Sequence, residues 1–213
     1  MKTLLKLCFL SLLVFSLSSC AILEKHKVEK TVDTYWTDIE KGEWIQALAM
    51  TDMQTSFNDK VQLIDDKEVQ KQVMNEVDHT MRDTLSQMVQ SHSIQSITLN
   101  KQQTKAKVQV TIRYRKLDVD ALKNQLYVDL LPYLMNSSSL KENIPTIGKQ
   151  CRKDIQANLS TSKVVTKKAT MTLVKKNGAW KIQTPDIQSV WNVLNASALV
   201  DRARFSSSLA DIL

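Results

Sequence analysis

Apolar positions along the chain change period several times, and each change marks a boundary. From Leu4 to Leu17 the run is apolar apart from Lys6, Ser11 and Ser16, and it follows a start that carries Lys2. An apolar core of about 7 to 15 residues behind a basic start and ahead of small residues reads as a secretory signal; it is shorter than the roughly 20 residues that span a bilayer. No second stretch has the length and character to span one. Val28, Val32, Tyr35, Trp36 and Ile39 then recur at helical spacing and predict an amphipathic helix that starts almost at once after Ala21–Leu23. Gly42 breaks the pattern. Trp44, Ile45, Leu48 and Ala49 begin a shorter helix, Thr51 and Asp52 read as a turn or cap, and Val69, Val73, Val77, Met81, Leu85 and Met88 predict a long helix over about 66–90.

Near Ile94 the period shifts from helix to strand. Ile94–Leu99 is short and β-rich, and Ala106, Val108, Val110, Ile112 and Tyr114 alternate strictly with Lys105, Lys107, Gln109, Thr111, Arg113 and Arg115. One face of that strand is therefore apolar and the other basic, with Asn100–Thr104 as the turn before it. Helical spacing returns over 118–160, first through Val119, Leu122, Leu126, Leu130 and Tyr133, then through Leu140, Ile144, Ile147, Cys151, Ile155 and Leu159. Pro132 is expected to kink or end the first piece, while Pro145 stands near the start of the second, where proline is tolerated. Val165, Ala169, Met171 and Leu173 share one strand parity, and Asn177-Gly178 before Ala179–Ile182 is a strong hairpin signal because both turn positions tolerate positive φ. Ile187, Val190, Trp191 and Leu194 fit a short helix, and Leu199, Phe205, Leu209 and Ile212 mark an amphipathic C-terminal tail.

This order predicts an α+β fold: N-terminal amphipathic helices packed on a curved antiparallel sheet of about four strands, with a helical pair inserted between the two strand hairpins. The expected organisation is a signal over 1–19, a modified N-terminus and short tether over 20–24, an α+β domain over 25–196 with its insertion at 118–160, and a tail over 197–213.

The tetrad Leu17-Ser18-Ser19-Cys20 resembles the lipobox of bacterial lipoproteins, in which the Cys thiol is acylated and becomes the first residue of the mature chain. The resemblance implies lipidation at Cys20 and firm anchoring, since each buried methylene contributes about 0.8 kcal/mol and two or more acyl chains give stable attachment. A plain cleaved signal and an uncleaved anchor are the alternatives. Ala21 after the Cys resembles the pattern of lipoproteins sorted to an outer membrane; in a single-membrane cell the domain would sit on the outer face of the cell membrane. Loss of Cys8 with the signal and use of Cys20 leave Cys151 alone, so no intramolecular disulfide is expected. The helical stripe around Cys151 reads it as a small buried hydrophobe.

Thr31–Met50, TVDTYWTDIEKGEWIQALAM, and Lys176–Ile182, KNGAWKI, resemble the opening helices and closing hairpin of bacterial lipoproteins in the nuclear-transport-factor-2-like, cystatin-like superfamily. That resemblance implies a cone-shaped pocket between helices and sheet, used by some members for catalysis and by others for binding a ligand or a protein. The inserted helical pair departs from the compact family pattern.

Charge and chemistry narrow the function classes. The net charge of +7 falls to +5 when Lys2 and Lys6 leave with the signal, a modest excess that does not by itself point to nucleic acid. Three glycines leave no room for a phosphate cradle, and there is no Gly-x-Ser-x-Gly elbow or Cys-x-x-Cys. His79 and His92 are thirteen residues apart, with Asp78 and Asp83 nearby, without the close pairing of zinc motifs; they read as surface or boundary residues, and no metal or cofactor is expected. The inward parity of the best strand carries no carboxylate or His, leaving Tyr114 as a lone polarising group. Lys105, Lys107, Arg113, Arg115, Lys168 and Lys181 form a candidate basic contact face, which reads either as a contact for anionic lipid or polymer or as a solvated face that discourages edge pairing. The leading expectation is a membrane-anchored envelope lipoprotein with a non-catalytic interaction or scaffolding role toward an envelope protein or anionic polymer. A binder of a small hydrophobic ligand comes second and an enzyme third.

Overall fold

The computed structural model describes residues 2–52, 66–135 and 140–184, with side chains described at 21–52, 66–133 and 142–184. Helix α1 is Lys2–Glu40 and α2 is Trp44–Ala49; α3, Lys67–Met88, runs straight into strand β1, Val89–Leu99. Strand β2 is Lys105–Arg115, helices α4 and α5 are Val119–Met135 and Leu140–Thr161, and strands β3 and β4 are Val164–Lys176 and Ala179–Ile182. The four strands form one antiparallel sheet in the order β1-β2-β3-β4. The fold is thus the α+β arrangement expected, with the helical pair α4–α5 between the two hairpins. Ile187–Leu194 and the tail over 197–213 lie outside the described residues.

Helix α1 buries the stripe that its spacing announces: Val28, Val32, Tyr35, Trp36 and Ile39 are all shut away from solvent. They pack on the inner face of the sheet, where Ala106, Val108, Val110, Ile112 and Tyr114 of β2 meet Met171 and Leu173 of β3 and Ile182 of β4, and where Leu85 and Met88 arrive from α3. In α2 the buried residues are Trp44 and Ala47, and Ile45 is turned outward. Between α1 and α2 Gly42 takes φ of +76°, and its α-carbon lies so close to the Arg82 carbonyl of α3 that a Cβ would collide with it. Asp66 caps α3, its carboxylate accepting from the backbone N–H of Glu68 at 2.8 Å and of Val69 at 3.1 Å.

Two local expectations are corrected. Strand β1 begins at Val89, well before Ile94; two register shifts against β2, at Val89/Ser91 and Ile94/Ser96, break the alternation that would have announced its first half. Val89, His92, Ile94, Ile97 and Leu99 face inward at spacings of three, two, three and two, a pattern neither the strand nor the helix template detects. Helix α4 ends at Met135, three residues past Pro132, close to where the proline was expected to end it, with the lost hydrogen bond in the last turns. Cys151 is half-buried, whereas its stripe-mates Ile144, Ile155 and Leu159 are buried.

The sheet has two unlike ends. Both tight turns lie at one of them, joined by a hydrogen bond of 2.9 Å from the Lys175 N–H to the Thr104 carbonyl. Asn177 and Gly178 both adopt positive φ, as the Asn-Gly hairpin requires. The other turn has no glycine; the Asn100 side chain organises it by accepting from the N–H groups of Thr104 and Lys105 at 2.8 and 2.9 Å. At the opposite end Arg115 pairs with Val164, and the helical pair departs and returns there. Helix α5 packs on α3, with Gly148 against the Glu76 carboxylate and Arg152 paired to it.

Candidate functional site

The four strands carry nine Lys or Arg residues and no Asp or Glu. Register decides which of the nine share a face. Lys105, Lys107, Gln109, Thr111, Arg113 and Arg115 stand opposite Val174, Thr172, Thr170, Lys168, Thr166 and Val164, and Lys181 stands opposite Val174. All six residues of the candidate contact face therefore occupy outward positions. Lys105, Lys107, Arg113 and Lys168 are exposed, and among the described residues none of these four is ion-paired. Arg115 and Lys181 are half-buried and spend their charge on main-chain carbonyls: Arg115 donates to Leu159 and Ser162, and Lys181 donates to Ala49. Two cationic pairs remain, Lys105 with Lys107 and Arg113 with Lys168, about 20 Å apart along β2 at strand rise. Between and beside them are Gln109, Thr166, Thr170, Thr172, Ser93 and Ser96, a surface of donors and hydroxyls.

At the turn end, residues just past Cys20 are docked on the sheet. Helix α1 passes through Cys20 without a break, and Glu24 is buried. One carboxylate oxygen accepts from the Trp180 indole at 2.9 Å and meets Lys175 Nζ at 2.9 Å; the other meets Lys27 at 2.9 Å. Lys175 also lies over the Trp180 ring, 5.9 Å from its centroid. Hydrogen bonds from Lys175 and Lys27 outweigh the cost of burial and hold the Glu24 carboxyl down at about 2. Asp52 closes the same edge of the sheet, accepting from the Thr184 N–H and hydroxyl at 2.7 Å each and facing Lys176 at 3.4 Å. Burial raises its pKa, but these bonds prevail and the net shift is downward. Asp52 was legible only as part of a turn or cap, and Glu24 was not singled out: a lone Glu in an amphipathic helix has no distinguishing neighbour until the hairpin folds against it.

The histidines are not brought together. His79 is exposed, and Asp78 is occupied by the Trp44 indole at 2.9 Å and by Arg82 at 3.3 Å. His92 faces α1 instead, with Nδ1 2.7 Å from Glu40 and Nε2 3.1 Å from Asp33, its ring stacked on Trp36 at 6.4 Å. Among the described residues no group of three or more His, Cys, Asp or Glu side chains is arranged to hold a metal ion. Tyr114 is fully buried, and desolvation alone raises its pKa. The space between helices and sheet, where the resemblance implied a pocket, is occupied by Tyr35, Trp36, Leu85, Met88 and Met171, with the Trp36 indole donating to the Met171 sulfur at 3.3 Å. Among the described residues, no helix is long and apolar enough to cross a membrane.

No family model matches the chain, and no curated protein matches it. Among solved structures, the chain is similar to a crystal structure titled "putative lipoprotein (ycdA)" from Bacillus subtilis subsp. subtilis str. 168, at 15% identity and a TM-score of 0.35. The match covers 75% of this chain and 45% of that one, so the chain spans less than half of that structure's length.

Proposed function

We propose that the protein is a bacterial envelope lipoprotein, held to a membrane by acylation of Cys20, whose domain has a non-catalytic interaction role exercised through the outer face of its sheet. The observation that carries the reading is the carboxylate-free sheet, with Lys105, Lys107, Arg113 and Lys168 exposed on one side and without ionic partners among the described residues. A surface that only needed solubility would intersperse both signs; a field of one sign with interleaved hydroxyls suits a polyanion, here an anionic envelope polymer. The occupied cone favours this over a small hydrophobic ligand. The helix, glycine turn and helix over 31–50 and the hairpin over 176–182 support the likeness to the nuclear-transport-factor-2-like superfamily in shape.

Intact mass and membrane fractionation of the native protein beside Cys20→Ala test the anchor. The variant should lose a lipid-sized mass increment and leave the membrane; identical behaviour of two unmodified mature chains sinks the lipoprotein reading. Titration with a phosphodiester polymer tests the face. Binding should weaken steeply with salt, as counterion release requires, and Lys107→Glu with Arg113→Glu and Lys168→Glu should abolish it. Unchanged binding by that triple variant rejects the face.

A further inference from the structure

We infer that the turn end of the sheet is a membrane-docking surface, which seats the domain upright on a bilayer rich in anionic headgroups; the inference rests on acylation of Cys20. Helix α1 runs through Cys20 and is clamped at Glu24 to Trp180 and Lys175, so the anchor lies only four residues from the body of the domain. Cys20 lies one helical turn before that clamp, about 6 Å along α1. From Lys175 the strand needs two or three residues, about 7–10 Å, to reach Asn177 and Gly178. Helix α1 runs from the clamp at the turn end to Glu40 beside His92, which pairs with Ile112 toward the other end of the sheet, so Cys20 and the adjoining turns lie on the same side of the clamp at similar distances from it. An acyl chain inserted at Cys20 brings the turns to the headgroup layer.

The side chains at this end match that environment. Ile22 and Leu23 are 69% and 54% exposed, and the interface beside an inserted acyl chain would cover them. Lys25 follows them on α1 and is exposed, and Lys101 and Lys105 are exposed at the β1–β2 turn, at the same end of the sheet. Glu24 and Asp52, the carboxylates that lie against the β3–β4 hairpin, are both engaged by lysines and hydrogen bonds, which leaves little to repel a phosphate surface. Apolar residues beside an anchor with lysines flanking them are how a peripheral domain binds anionic lipid. The helical pair is carried at the opposite end of the sheet, away from the bilayer, and the broad basic face stands between.

The test is hydrogen exchange of the full acylated mature chain on vesicles of phosphatidylcholine, with and without phosphatidylglycerol. Amides of Ile22–Lys25, Asn100–Thr104 and Asn177-Gly178 should exchange at least three-fold more slowly on the anionic vesicles, and those of Lys116–Asp118 should not change. Ile22→Ser with Leu23→Ser should remove the protection, and Lys25→Glu and Lys101→Glu should each lower the docked population about five-fold, with the acyl mass intact in every variant. Intact acyl mass with identical exchange on both vesicles overturns the docking surface alone. Absence of the acyl mass overturns the lipoprotein reading and the docking surface with it.

Discussion

The indole Nε1 of Trp180 donates to Glu24 at 2.9 Å, joining the fourth residue past Cys20 to strand β4 across 156 positions of sequence. Because Glu24 is also the hub for Lys175 and Lys27, its replacement by Ala would leave a buried indole N–H unsatisfied. The expected loss is about 2 kcal/mol, read as a lower urea midpoint with a shift in tryptophan emission. Glu24→Gln keeps an acceptor for Trp180 and should lose less.

The same residue sets a pH dependence. Its carboxyl is held at about 2 against an ordinary 4.5, so its contribution is complete above about pH 4.5 and is lost as pH falls toward 2. Denaturation midpoints of the native protein should drop through that window. The difference between native and Glu24→Gln should shrink there, and a constant difference would contradict the assignment.

Asp154 slopes the other way. Burial raises its pKa, the neighbouring Asp129 raises it further, and its Oδ2 has no hydrogen-bond partner. Gln150 bridges the two acids at 2.9 and 3.0 Å. The stabilisation from the proton on Asp154 is complete below the unfolded carboxyl range and is lost as pH rises through the raised folded value. At neutral pH Asp154→Asn should therefore stabilise the α4–α5 contact by about 1 kcal/mol, and calorimetry at pH 7 should show a higher Tm.

Gly42→Ala should be among the most damaging single changes. The position combines φ of +76° with a Cβ path into the Arg82 backbone carbonyl, and backbone on that side has no side-chain freedom with which to yield. A cost of about 3 kcal/mol is expected from strain and collision together, visible as a large fall in Tm.

His92→Ala should loosen α1 from β1. It removes contacts to Glu40 and Asp33 and the ring stacked on Trp36, at about 2 kcal/mol. Faster exchange of β1 amides relative to those of β2 would show it.

Where backbone geometry repeats, the sequence was legible. The α1 stripe, the alternation of β2, the Asn-Gly hairpin and the inserted helical pair all follow from periods of 3.6 and 2 or from a residue that tolerates positive φ. Strand β1 was half hidden because its two bulges shift the inward set by one residue each time. Ile45 and Cys151 fit their stripes and yet are less covered than predicted, since periodicity names a face and does not say what will cover it.

The sequence by itself determined the order of elements, the basic parity of β2 and the place of Cys20 just before the amphipathic stripe of α1. Only the tertiary structure decided that Lys168 lies beside Thr111 and Arg113, that Glu24 is buried under Trp180, and that both turns share the end of the sheet where α1 enters. The division has a physical cause. Local period is a property of one segment's backbone, whereas strand register and the desolvation of a carboxylate depend on which distant segment arrives opposite it, and no single segment carries that information.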